Sequence, residues 1–169
     1  MEKIDIHSIS TLPPKNFDKE QTEKKTKVLL KELGKLQNVL YAQGKHSLLI
    51  IMQGMDASGK DGAIREVFSG INPMGCKVQS FKKPTEEEMK HEFLWRIHKH
   101  VPEKGMIQIF NRSHYEDVLI QRVHAWVDMP TIKKRYEHIN AFENLLMENA
   151  TVILKFYMHI SQKEQISRL

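Results

Sequence analysis

The sequence holds one cysteine, Cys76, among 169 residues. No disulfide can close within the chain, and a reducing cytoplasm is the expected compartment. Long apolar runs are missing as well. None approaches the ~18 residues of a membrane span, and the opening MEKIDIHSIS lacks the basic start and apolar block of a secretion signal. Repeats, low-complexity tracts and an internal linker are absent. His91, His98, His100, His124, His138 and His159 stand in no tight pattern with Cys or acidic ligands, and H-E-F-L-W at 91–95 lacks the second histidine of a zinc helix. No zinc site is expected. Charge of one sign is only mildly in excess: 26 Lys and Arg face 21 Asp and Glu. That surplus favours anionic partners such as nucleotides, phosphate chains or nucleic acid, but solubility explains it equally well. The placement of the basic residues has to decide.

What is present is ordinary for a globular protein, with 40% hydrophobic and 28% charged residues, and the length allows one domain with a substantial core. Residues 1–17, with Pro13-Pro14 and little periodicity, read as an irregular lead-in to a domain at 18–169. Over 18–43, Val28, Leu29, Leu33, Leu36, Val39 and Leu40 recur mostly at three- and four-residue steps, which predicts an amphipathic helix. After Gly44 strands and helices alternate. Leu48 to Met52 is a continuous apolar run, as a strand buried on both faces of a parallel sheet requires. A helix is expected from Gly59 to Phe68 and a short strand at 76–81. Another helix should open at Pro84-Thr85-Glu86-Glu87-Glu88, where Thr85 and Glu88 have capping-box spacing, and run on until it stops before Pro102. Residues 106–110 read as a strand, and Ser113 with Glu116 repeats the capping-box spacing. A helix over 131–148 should turn Ile132, Tyr136, Ile139, Phe142, Leu145 and Leu146 to one side. A strong strand at 151–158 precedes a helix begun by Ser161 and Glu164. Such alternation predicts a three-layer α/β fold with a mainly parallel sheet flanked by helices. Ligands of these sheets sit beyond the carboxyl ends of the strands.

Two segments fall at that end. Gly54-Met55-Asp56-Ala57-Ser58-Gly59-Lys60 matches G-x-x-x-x-G-K, the start of a phosphate-binding loop. Its glycines permit backbone shapes that turn N–H groups toward phosphate oxygens, and the following helix adds its positive end. Lys60 would meet the transferring phosphate as a point charge. The next residue is Asp61, where such loops usually carry the Ser or Thr that holds magnesium. Another ligand is then needed. Asp56, inside the loop, is the preferred carboxylate for magnesium, and Asp61 is its rival, the alternative being that Asp61 only favours the helix dipole. The second segment, IFNRSHYEDVLIQRVH at 109–124, carries Asn111 at a strand end and two candidate phosphate clamps, Arg112 and Arg122. Glu116 is already accounted for by its spacing from Ser113. Lys82-Lys83 should flank the same end of the sheet, where they would guide a polyanion or simply sit in a solvated turn.

Together these residues resemble the second family of polyphosphate kinases, which have a P-loop fold akin to thymidylate kinase. The resemblance runs from about Leu36 to Leu169 and rests on SLLIIMQGMDASGKDGAI, on INPMGCKVQSFKKPTEEEMKHEFLWRIHKHVPEKG, and on IFNRSHYEDVLIQRVH. It implies reversible phosphoryl transfer between inorganic polyphosphate and adenine or guanine nucleotides, with magnesium, in a homo-oligomer (dimer or tetramer) that needs neither nucleic acid nor membrane. Lys60 and the loop backbone of Gly54, Met55, Ala57, Ser58 and Gly59 would hold the transferred phosphate. Asp56 matches the family's loop aspartate, with roles in metal binding and nucleotide activation. Arg112 and Arg122 match arginines of the polyphosphate channel. Asn111 stands where many members carry an aspartate, and N-R-S-H-Y-E resembles the subgroup acting on both nucleoside mono- and diphosphates, so that Asn111 and Glu116 would tune substrate choice. Members generally continue with a further strand and a helical lid bearing more arginines, which this chain is expected to lack. Two other readings remain at this stage: an ATP-dependent nucleoside or nucleotide monophosphate kinase, and a non-catalytic module binding polyphosphate or a homologue. A nucleic-acid binder has no motif to support it.

Overall fold

A computed structural model describes residues 5–123 and 127–169. The opening tetrapeptide and His124 lie outside the described residues. After a 3-10 turn at Ile6–Ser8, helix α1 covers Lys19–Gln43. Asp18 caps its start by accepting from the Gln21 N–H at 3.0 Å, and Gly44, at φ 58°, ends it by donating to the Leu40 carbonyl. The remaining elements are β1 (Ser47–Gly54), α2 (Lys60–Phe68), β2 (Cys76–Ser80), α3 (Trp95–His98), β3 (Ile107–Asn111), α4 (Glu116–Val123), α5 (Met129–Glu148), β4 (Thr151–Met158) and α6 (Gln162–Arg168).

The four strands form one all-parallel sheet in the order β2-β3-β1-β4. The apolar run of β1 lies at its centre, paired with β3 from Leu48↔Ile107 to Met52↔Asn111 and with β4 from Ser47↔Thr151 to Gly54↔Met158. Side chains alternate between two cores. Leu49 and Ile51 join Phe110, Ile97, Val118, Ile139, Phe142 and Leu146 beneath α3, α4 and α5. Ile50 and Met52 join Ile107, Ile109, Ile64 and Ile71 beneath α1 and α2. This is the expected three-layer α/β architecture with a parallel sheet.

Three local expectations need correction. The helix expected from Thr85 to before Pro102 is broken into a 3-10 turn at Glu88–Lys90 and the single turn of α3. Its capping box does form: Thr85 N–H donates to Glu88 Oε2 at 2.8 Å and Glu88 N–H to Thr85 Oγ1 at 3.2 Å. His91 then turns extended, and Glu92 Oε2 captures the Leu94 N–H at 2.7 Å, so Leu94 and Ile97 reach the core from a fresh start. Along α1 only Leu33 and Leu40 pack on the core; Val28, Leu29, Leu36 and Val39 are exposed, and the buried position is Gln37. On α5, Leu145 and Tyr136 point to solvent while Ile132, Ile139, Phe142 and Leu146 are buried. The strand expected at 151–158 does form, as β4, at the edge of the sheet with Val152, Leu154 and Phe156 exposed among the described residues.

Candidate active site

The carboxyl ends of β1, β2 and β3 open into one cleft of about 600 Å³. From the loop between β1 and α2 come Asp56, Ala57, Ser58, Gly59, Lys60 and Asp61; from the end of β2, Lys82 and Lys83; from the end of β3, Asn111 and Arg112. The loop geometry explains its residue types. Gly54 has φ 151°, and a Cβ there would come within 2.7 Å of Ser58 Oγ and 3.0 Å of the Met158 carbonyl. Gly59 has φ 94° immediately before α2. Ala57 and Arg112 hold φ 60° and 62°, values that side-chain-bearing residues seldom adopt and that cluster at functional sites.

Lys60 is buried and folded back on its own loop. Its Nζ donates to the carbonyls of Gly54 at 2.8 Å and Met55 at 2.9 Å, with Ser58 Oγ at 3.4 Å. Gly54 and Met55 line neither the cleft nor the groove beside it; their carbonyls hold Lys60 instead. Burial and the Arg112 charge lower the pKa of Lys60, against opposing pulls from Asp56, Glu116 and Asp61. Arg112 pairs with Asp56 across the cleft mouth, and the Asn111 amide donates to Asp61. The two candidate metal carboxylates are thus both present, each held by a partner from the far strand.

Glu116 does not form the expected capping box. Gln53 stands between its two halves: the Gln53 amide oxygen accepts from Ser113 Oγ at 2.8 Å and from the Ser113 N–H at 3.2 Å, and its nitrogen donates to Glu116 Oε1 at 3.1 Å. The Ser113 N–H that the box requires is already bonded. Glu116 lines a groove of about 240 Å³ that continues the cleft past Lys82, Lys83 and Arg112. Desolvation raises its pKa, while Arg112 and Lys60 pull the other way. Arg122 is the one expected clamp left outside. It is exposed in the last turn of α4 and lines neither cleft nor groove. Six residues along a helix turn it about 240° from Glu116.

Residues missed from sequence belong to α6 and to the far side of the Arg112 turn. Arg168 lines the cleft, donates to the Ala57 carbonyl at 3.3 Å and is paired with Glu164 at 2.7 Å; Gln165 donates to the Asp56 carbonyl at 3.0 Å. The Ser161 cap signalled the helix, and its i,i+4 Glu164–Arg168 spacing was the only cue to the arginine's setting. Behind the cleft, Arg96 is buried, bonded to Asp117 at 3.0 Å and to the Lys82 carbonyl at 2.8 Å, which ties the lysine turn to α4.

Comparison with known proteins identifies the relatives of this chain. The family model described as polyphosphate kinase 2 (PPK2) matches residues 16–169. An AMP/ADP-polyphosphate phosphotransferase of Meiothermus ruber is 54% identical over 142 residues, covering 84% of this chain and 53% of the relative. An ADP-polyphosphate phosphotransferase of Rhodopseudomonas palustris is 43% identical over 180 residues, covering 99% of this chain and 62% of the relative. The crystal structure of polyphosphate kinase 2 from Arthrobacter aurescens TC1 superposes with a TM-score of 0.92 at 38% identity, covering 98% of this chain and 60% of that one. This chain therefore spans between half and two-thirds of the length of these relatives. With the phosphate loop, the facing Asn-Arg turn and the parallel sheet all in place, the chain belongs to the polyphosphate kinase 2 family.

Proposed function

We propose that this protein transfers a phosphoryl group reversibly between inorganic polyphosphate and the terminal phosphate of a nucleotide, with ADP and AMP as acceptors. One observation carries the reading: Lys60, Lys82, Lys83, Arg112 and Arg168 surround a single cleft at the N-terminus of α2, a density of cations suited to a chain of phosphates. The names of the Meiothermus and Rhodopseudomonas relatives supply the acceptors. A homo-oligomer in the cytoplasm is part of the same proposal.

Transfer forms a bond from an acceptor phosphate oxygen to the terminal phosphorus of the chain and breaks the anhydride bond to the next phosphate. The residues of this chain supply positioning and charge rather than covalent chemistry. Lys60 would exchange the Gly54 and Met55 carbonyls for oxygens of the moving phosphoryl group. Arg112 would leave Asp56 for a phosphate as the substrate enters. The donor set fits magnesium, which is commonly held by one or two carboxylates together with substrate phosphates: Asp56 is exposed and, like Asp61, lines the cleft. When bound, that ion neutralises charge on the phosphates; Asp56 would hold it, with Asp61 as an outer partner.

The test follows nucleotides while the chain is incubated with magnesium, long-chain polyphosphate and either ADP or AMP. ATP from ADP, and ADP from AMP, are expected only with polyphosphate. Turnover with an ATP donor and none with polyphosphate would instead support the nucleotide monophosphate kinase reading, and binding without transfer the non-catalytic one.

A further inference from the structure

The turn that bears Arg112 is gripped from behind by one buried carboxylate. Glu143, on α5, is almost fully buried. Its Oε1 accepts from the Tyr115 hydroxyl at 2.8 Å and lies 3.3 Å from His114 Nε2; its Oε2 accepts from Lys155 Nζ, on β4, at 2.6 Å. Lys155 closes the group by donating to the Tyr115 oxygen at 3.1 Å. His114 has no exposed surface and packs edge-on against Phe142 with ring centroids 5.4 Å apart. None of these four groups touches the cleft, so phosphate binding does not explain them.

Their position in the chain does. Between Asn111 and Glu116 the residues divide by direction: Arg112 and Glu116 face the cleft and its groove, whereas His114 and Tyr115 point into the protein and both meet Glu143. Arg112 sits at φ 62°, a conformation that persists only where the surroundings over-determine it. Its backbone N–H is tied to the Met52 carbonyl at 3.0 Å on one side. On the other side the next anchors are Ser113 on Gln53 and then His114 and Tyr115 on Glu143. We infer that Glu143 is a positioning residue for phosphate binding: by holding His114 and Tyr115 against α5, with Lys155 bracing it from β4, it keeps Arg112 in its left-handed conformation and aimed across the cleft.

This inference rests on the proposed polyphosphate site but is separable from it. Two readouts on the full chain test it: amide hydrogen exchange, and affinity for polyphosphate by titration. In Glu143→Ala, exchange over residues 111–117 should rise about tenfold or more, while the β1 amides at 49–52 change little. Polyphosphate affinity should fall by about tenfold, and Glu143→Gln, which keeps an acceptor for His114 and Tyr115, should recover most of that loss. In an Arg112→Ala background, Glu143→Ala should weaken binding by less than about twofold further, because the two changes act through one side chain. Equal losses with and without Arg112, or exchange rising evenly through β1, would overturn the inference. Should Glu143→Ala fail to fold, Tyr115→Phe carries the same comparisons with smaller effects. If the unaltered chain binds no polyphosphate, the proposed function fails, and the exchange comparison still decides whether Glu143 holds the turn.

Discussion

Lys60 bonds three acceptors of its own loop, and Asp56 and Asp61 each bond a side chain from the end of β3. Lys60, Asp56, Asp61 and Arg112 are therefore already partnered, and substrate binding would exchange these partners for phosphate and metal. Lys60→Met should lower transfer by ~10²-fold or more, because a preorganised cation at the developing charge is lost. Asp56→Asn should remove transfer, whereas Asp61→Asn should cost less, about 10- to 100-fold, the typical effect of losing an outer partner of a metal site. Rates of nucleotide formation for both variants at saturating magnesium check this; equal losses would end the preference for Asp56. The loop was legible in the sequence because glycine spacing, a preceding apolar strand and a following helix all agree on it. Glu116 was misjudged because Ser113-x-x-Glu116 is a local pattern, and the competitor for both ends is Gln53, far away in sequence.

At the scale of elements, the same contrast between local and distant information recurs. The four strands and the long helices were readable from apolar runs and periodicity. The break at His91 was not, because it depends on Glu92 capturing the Leu94 N–H and on Arg96 reaching Asp117 on a later helix. Nor was the depth of α1: Val28, Leu29, Leu33, Leu36, Val39 and Leu40 look alike in sequence, yet of these only Leu33 and Leu40 reach the core. Leu40→Ala should therefore cost about 1–3 kcal/mol of unfolding free energy, a reduced large-to-small penalty at a partly buried site. Leu36→Ala, on the exposed flank, should change it by no more than about 0.5 kcal/mol. Urea midpoints of the two variants decide whether the described packing of α1 is right. A loss at Leu36 as large as that at Leu40 would place the exposed stripe in a contact.

For the molecule as a whole, acid stability depends on the carboxylate that braces the active-site turn. Hydrogen bonds from His114, Lys155 and Tyr115, with the Lys155 charge, outweigh the desolvation of Glu143 and hold its pKa at about 2, below the ordinary 4.5. A carboxyl depressed in the folded state stabilises it above the unfolded pKa, and this contribution disappears as pH falls from about 4.5 toward 2. It amounts to about 3 kcal/mol at neutral pH. Glu143→Gln should thus be less stable than the unaltered chain at pH 7, and the gap should narrow through that acid window. A gap independent of pH would contradict the assignment. The central claim, that the Gly54–Lys60 cleft receives a phosphate chain, is tested most directly by mapping where a short polyphosphate perturbs backbone amide resonances in the presence of magnesium. The account predicts shifts concentrated at residues 54–62, 82–83 and 111–112 and lost in Lys60→Met. Shifts confined to the lysine-rich surface of α1, or unchanged in Lys60→Met, would contradict it.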